Sequence, residues 1–159
     1  MAVTAALIKE LREKTGAGMM DCKKALAETG GDMQKAIDYL REKGIAKAAK
    51  KSGRIAAEGA VTAYVSDDGK LGALVEVNCE TDFTANNENF RELAKKVTEH
   101  VAKNNFADID ALNASKIEGS KTVADLVTEA TATIGEKISV RRFVKYATDG
   151  VITSYIHMG

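Results

Sequence analysis

Proline and tryptophan are both absent from these 159 residues. Average usage would supply about eight prolines, so turns and helix ends fall to Gly, Asn, Asp and Ser. Cysteine occurs only as Cys22 and Cys79, too few for a disulfide scaffold or a thiolate zinc site. No apolar run approaches the roughly 18 residues of a membrane span. Lys9, Glu10, Arg12 and Glu13 interrupt the N-terminal apolar residues, which excludes a secretory signal between Met1 and Lys14. A reducing cytoplasm is the expected compartment, with no membrane contact. Net charge is lacking too, with 23 basic and 23 acidic residues. Residues 1–58 carry +4 and the remainder −4, an asymmetry too mild for a nucleic-acid footprint.

The motifs of catalysis and cofactor binding are equally scarce. No GxxxxGK[ST] or GxGxxG loop is present, so direct nucleotide binding is not expected. Asp67, Asp68 and Asp82 lack the spacing of a calcium loop. A Cys79 nucleophile would need His100 or His157 as its base, and His100 falls on a surface helix. No catalytic residue, metal or cofactor is expected, and the chain does not read as an enzyme.

What is present folds: the chain is 45% hydrophobic and 29% charged. Residues 1–43 read as three short helices. Thr4 caps the first, with Leu7, Ile8 and Leu11 as its apolar stripe. Gly16 and Gly18 stop it, and Gly30-Gly31 ends the second. Asp32 caps the third, which carries Met33, Ala36, Ile37 and Leu40 and stops at Gly44. Residues 44–58, basic and Ala-rich, read as a partly helical linker, its charges either a solvated face or a docking patch.

From Gly59 the period changes to two. Val61, Ala63 and Val65 alternate, Asp67-Asp68-Gly69 turns, and Leu71 to Cys79 returns as a second strand. Phe90, Leu93, Ala94, Val97 and Val101 recur at helical spacing. Residues 104–120 read as a loop with one helical turn. Thr122 caps a helix that Gly135 terminates, and Ile138 to Tyr146 and Val151 to Ile156 read as a second hairpin. The order ββααββ over residues 59–159 predicts an α+β domain, an antiparallel sheet with helices on one face.

Two local features stand out. Gly16-Ala17-Gly18-Met19-Met20 sets two methionines beside a turn in a small core, either as filler or as an adaptable contact surface. Asn78-Cys79-Glu80-Thr81-Asp82-Phe83 lies between a strand and a helix. Its Phe is either a packed loop anchor or a probe that can enter a partner's pocket.

The run from Leu11 to Leu26, containing Thr15-Gly16-Ala17-Gly18-Met19-Met20-Asp21-Cys22-Lys23-Lys24, resembles the N-terminal signature of the bacterial translation elongation factor Ts family. Glu76-Val77-Asn78-Cys79-Glu80-Thr81-Asp82-Phe83 resembles its second signature. Ile134-Gly135-Glu136-Lys137-Ile138 through Arg142 resembles a third, with Lys137 where Asn is common, and Ser154-Tyr155-Ile156-His157 a fourth. All four occur in the family's order.

The resemblance implies a guanine-nucleotide exchange factor for elongation factor Tu, built from a ubiquitin-associated-like trio and the first half of the family's core. It places Arg12, Met19, Met20, Lys23, Ile134 and His157 against the partner's GTPase domain. Asp82 and Phe83 become the wedge that disturbs the partner's magnesium and phosphate site. Typical members continue well beyond Gly159, so the expectation is a piece of a longer protein. The competing reading is a non-enzymatic interaction module that binds a partner without driving exchange.

Overall fold

The computed structural model describes residues 3–157. The chain begins with three helices, α1 (Ala5–Thr15), α2 (Met19–Glu28) and α3 (Met33–Lys51). The Thr4 hydroxyl accepts from the Leu7 N–H at 3.3 Å, and the Asp32 carboxylate accepts from the Lys35 N–H at 3.0 Å. Each cap satisfies one orphan donor of its helix. Leu11, Cys22, Ala25, Leu26 and Ala36 are buried between the three, a core dominated by small side chains.

Gly44 does not end α3, which runs unbroken to Lys51 through most of the expected linker. A Cβ at Gly44 would sit 3.3 Å from the Ala132 Cβ of a later helix. The glycine is there for close approach. Its intrinsic helix penalty, up to about 1 kcal/mol, is offset by packing against that helix. An ion pair between Arg41 and Asp125, 3.7 Å apart, crosses the same seam.

The second region holds β1 (Glu58–Val65), β2 (Leu71–Cys79), α4 (Asp82–Ala85), α5 (Glu88–Lys103), α6 (Ile109–Ala114), β3 (Lys116–Glu118), β4 (Lys121–Thr122), α7 (Val123–Ile134) and β5 (Ser139–Ala147). Its main sheet is antiparallel in the order β1-β2-β5. Alternation along β2 turns Ala73, Val75, Val77 and Cys79 towards the helices, where Phe90, Leu93, Ala94, Val97 and Val101 of α5 cover them. The α+β class is observed. Gly59 pairs with Asn78 at φ 144°, and a Cβ there would lie 2.1 Å from the Val77 carbonyl oxygen. Only glycine fits that crossing. Thr122 and Asp125 form a reciprocal capping box on α7, and Gly135 closes it in the left-handed conformation.

Three further expectations fail. Val151 to Ile156 is not a strand, so the second hairpin is not formed. The Ile152 N–H donates to the Gly69 carbonyl at 2.8 Å, and the Lys70 ammonium binds the Asp149 and Gly150 carbonyls. These bonds turn the segment across the outer face of the sheet, where Ile152 fills the space left by Gly72. The 104–120 stretch is more structured than a loop, with α6 and a two-residue β3–β4 pairing. His100 is not a surface residue; it is half-buried, its Nε2 2.8 Å from the Ser115 hydroxyl. Among the described residues no helix is long and apolar enough to cross a membrane. Met1, where the signal-peptide reading begins, and Met158-Gly159, on which the piece-of-a-longer-protein reading draws, lie outside the described residues.

Candidate functional site

Phe83 sits on α4, a single turn whose start is fixed by the Thr81 hydroxyl accepting from the Thr84 N–H at 3.3 Å. The Asp82 carboxylate accepts from the Phe83 N–H at 3.0 Å. Thr84 is buried, which roots the turn, and Phe83 is 85% exposed. The packed-anchor reading is thereby excluded: the ring projects into solvent beside an exposed carboxylate.

Hydrogen bonds to a distant loop hold this turn. The Glu136 carboxylate, two residues beyond α7, accepts from the N–H groups of Glu80 and Thr81 at 3.0 Å each and from the Thr81 hydroxyl at 2.6 Å. Burial alone would raise the Glu136 pKa. The bonds from Thr81, Thr84 and the Glu80 backbone outweigh it and hold the carboxyl below its ordinary value of 4.5. Glu80 reciprocates, its carboxylate accepting from the Lys137 N–H at 2.7 Å and pairing with Arg54 at 3.2 Å. The Lys137 ammonium reaches the Arg54 carbonyl at 2.9 Å. Glu136 and Lys137 carry no site role in the sequence reading. Their signal was the 134–138 motif, but a carboxylate gripping backbone N–H groups more than fifty residues away leaves no trace in spacing.

Met19 and Met20 form the first turn of α2, which starts two residues earlier than Asp21 because Gly18 takes the cap position. They are 47% and 75% exposed, so neither fills the core. Arg12 on α1 and Lys23 on α2 are exposed as well. The loop before these methionines lies near the end of α7: a Cβ built on Gly16 would be 3.9 Å from the Thr133 Cγ2. Ile134, half-buried against the main core, closes α7. The C-terminal end of α7 therefore lies near the Gly16 turn, and Glu136 just beyond it holds the Phe83 loop. His157 is not tied to this group; it is exposed and bonds to the Tyr155 hydroxyl at 3.3 Å.

The nucleophile idea meets a physical obstacle. Cys79 is buried, and burial with the nearby Glu136 charge pushes its thiol up to about 11. Its Sγ instead donates to the Thr81 carbonyl at 3.2 Å, one more tie on the loop.

Residues 80–159 match the sequence model of the family described as Elongation factor TS. Among curated proteins, Elongation factor Ts of Clostridium perfringens (strain 13 / Type A) is 58% identical over 158 residues, covering 99% of this chain and 52% of that protein. The protein of that name from Halothermothrix orenii is 55% identical over 161 residues, covering 100% of this chain and 54% of its own length. That from Trichlorobacter lovleyi is 54% identical over 162 residues, covering 100% and 52%. The chain spans about half the length of the curated relatives it matches.

Proposed function

The chain belongs to the elongation factor Ts family, and from that premise we propose that it acts as a guanine-nucleotide exchange factor on elongation factor Tu during translation elongation. The observation that carries this reading is Phe83, an almost fully exposed aromatic on a rooted helical turn with a carboxylate beside it. A large apolar side chain is held in water only at a cost in free energy, and entry into a partner's pocket recovers it.

The mechanism needs no covalent step. A factor that binds the nucleotide-free GTPase more tightly than the nucleotide-bound form lowers nucleotide affinity by the same ratio. Phe83 would wedge between side chains of the GTPase domain and displace the elements that hold its magnesium and phosphates. Asp82 would bring negative charge towards the metal's ligands. Weakening the magnesium site uncovers phosphate repulsion, and GDP leaves. Met19 and Met20, flexible and exposed, would grip the GTPase domain, with Arg12 and Lys23 flanking them as cations. Ile134 and His157 would add contacts to the same domain.

Stopped-flow release of fluorescent GDP from elongation factor Tu, with and without the chain, tests this. Acceleration by the native chain, and its loss in Phe83→Ala with circular dichroism unchanged, is expected. An aromatic anchor of this kind is worth about 2 kcal/mol or more, or roughly thirtyfold in rate if realised in the distorted complex. Binding with an unchanged off-rate would favour a plain interaction module. Met20→Ala should weaken binding and leave release from the saturated complex intact.

A further inference from the structure

Presentation of Phe83 depends on a residue in another part of the chain. We infer that Glu136 is the positioning residue for the Asp82-Phe83 turn: one carboxylate, set by the end of α7, fixes where the ring projects. This inference rests on the exchange reading above and names a residue through which that reading works.

A one-turn helix has no stability of its own, since the first turn orders several residues for a single hydrogen bond. Something outside α4 must hold it. Glu136 takes three donors at once, the N–H groups of Glu80 and Thr81 and the Thr81 hydroxyl, at 2.6 to 3.0 Å. Hydrogen bonds to an ionised acceptor are roughly twice as strong as neutral ones. The Thr81 hydroxyl that donates to Glu136 is the same oxygen that caps α4 by accepting from the Thr84 N–H. The carboxylate therefore orients the cap, the cap starts the helix, and the helix carries Phe83 at its second residue.

The clamp is closed from the other side. Glu80 accepts from the Lys137 N–H, so the two loops exchange carboxylates: 136 onto 80–81, and 80 onto 137. Lys137 adds a tie to the Arg54 carbonyl, and Arg54 pairs with Glu80. A two-way clamp of this form resists rotation as well as translation, as an inserted wedge requires. Because Glu136 lies two residues beyond Ile134, the last residue of α7, it also links the turn to the helix end that lies near the Gly16 turn at Thr133.

Glu136→Ala should lower the acceleration of GDP release between about ten- and a hundredfold, the range expected when a working group is misplaced by about an ångström. Glu136→Gln should recover most of it, because its amide oxygen can accept both N–H groups while its NH2 donates to the Thr81 hydroxyl. In a Phe83→Ala background, Glu136→Ala should cost far less than in the native chain, only what passes through Asp82, since residues acting through one another are non-additive. Amide exchange of Glu80 and Thr81, followed by NMR without the partner, should quicken in Glu136→Ala and stay slow in Glu136→Gln.

Release by Glu136→Ala at the native rate, or an undiminished cost in the Phe83→Ala background, would overturn the inference. Should Glu136→Ala fail to fold by circular dichroism, Glu136→Asp withdraws the carboxylate by one methylene and keeps the charge. An intermediate loss is expected of it, and native release would again overturn the inference. Native chain without acceleration, or Phe83→Ala acting as native, would sink the exchange reading and the inference with it. That failure is recognised because the Glu80 and Thr81 amides would still report an intact clamp.

Discussion

The two regions of this chain build their exposed surfaces in opposite ways. The helical trio buries Leu11, Leu26, Cys22 and two alanines, and shows solvent two methionines on the first turn of a helix. The α+β region buries a far larger cluster, from Ala73 to Val140 and including Phe90, and among the apolar side chains it shows solvent is a Phe on a clamped turn. A thin core with flexible thioethers suits a surface that adapts, and a thick core with a clamped turn suits one that deforms its partner. The trio also leans on its neighbour: α3 continues past its own core to lie against α7 through Gly44 and Ala132. Small helical units of this size sit near the limit of independent folding, so part of the trio's stability comes from that seam.

The contrast can be broken first at the two cores. Phe90→Ala removes the largest fully buried side chain and should cost about 3–5 kcal/mol. Urea unfolding followed by far-ultraviolet circular dichroism should show the whole α+β region lost at lower denaturant. Leu26→Ala should cost about 2–5 kcal/mol, but locally. Hydrogen exchange should show α1 and α2 opening early while β2 and α5 keep their protection. Equal loss of protection in both regions would mean that the chain is one cooperative unit and the comparison is wrong.

The seam itself comes next. Gly44→Leu forces a branched side chain into a gap where even a Cβ would stand 3.3 Å from Ala132. Overpacking of this kind costs about 1–3 kcal/mol. The trio should then sample other orientations, and the binding to elongation factor Tu proposed above should weaken while the sheet stays protected. Unchanged affinity, read by titration calorimetry, would show that the orientation of the trio does not matter to the interface.

Gly44 also shows where sequence reading stops. A glycine after an apolar stripe is a helix terminator by local rules, and at Gly135 it is one. At Gly44 the deciding atom is Ala132, which lies far along the chain and is invisible to periodicity. The same division runs through the rest of the fold. The hairpin at Asp67-Asp68-Gly69, the stripe of α5 and the Thr122 cap are local, and all were legible. The path of residues 151–156 was not, because Gly69, Lys70 and Gly72 redirect it over the sheet. For the site, the sequence supplied the candidates: Asp82, Phe83, Met19 and Met20 were chosen from motifs, and their exposure needed coordinates. Glu136 required the third dimension outright, since its bonds join residues that no helical or strand period brings together.

The smallest effect expected is a titration confined to the thicker region. His100 lies on α5, its ring 5.2 Å from that of Phe106 and its Nε2 against the Ser115 hydroxyl. Burial holds its pKa below the ordinary 6.5. The folded state thus favours the neutral ring, and the unfolded chain takes up the proton first as pH falls. Stability rises with pH wherever the unfolded state binds more protons, so the loss begins as pH drops through about 6.5 and ends once the folded-state pKa is passed. The carboxyls of Glu136 and Asp125, held low by their hydrogen bonds, act in a separate window. Their contribution is complete above the unfolded values of 4.5 and 3.8 and disappears only as pH falls through the folded ones. Melting temperatures at pH 7.5 and 5.5 should therefore differ for the native chain and converge in His100→Gln, which keeps a polar partner for Ser115 but cannot titrate. The same pH dependence in the variant would move the titration to another group and remove His100 from the account. Because the α1–α3 core contains no histidine, hydrogen exchange at pH 5.5 should show the weakening in α5 and α6 before it reaches α1 or α2.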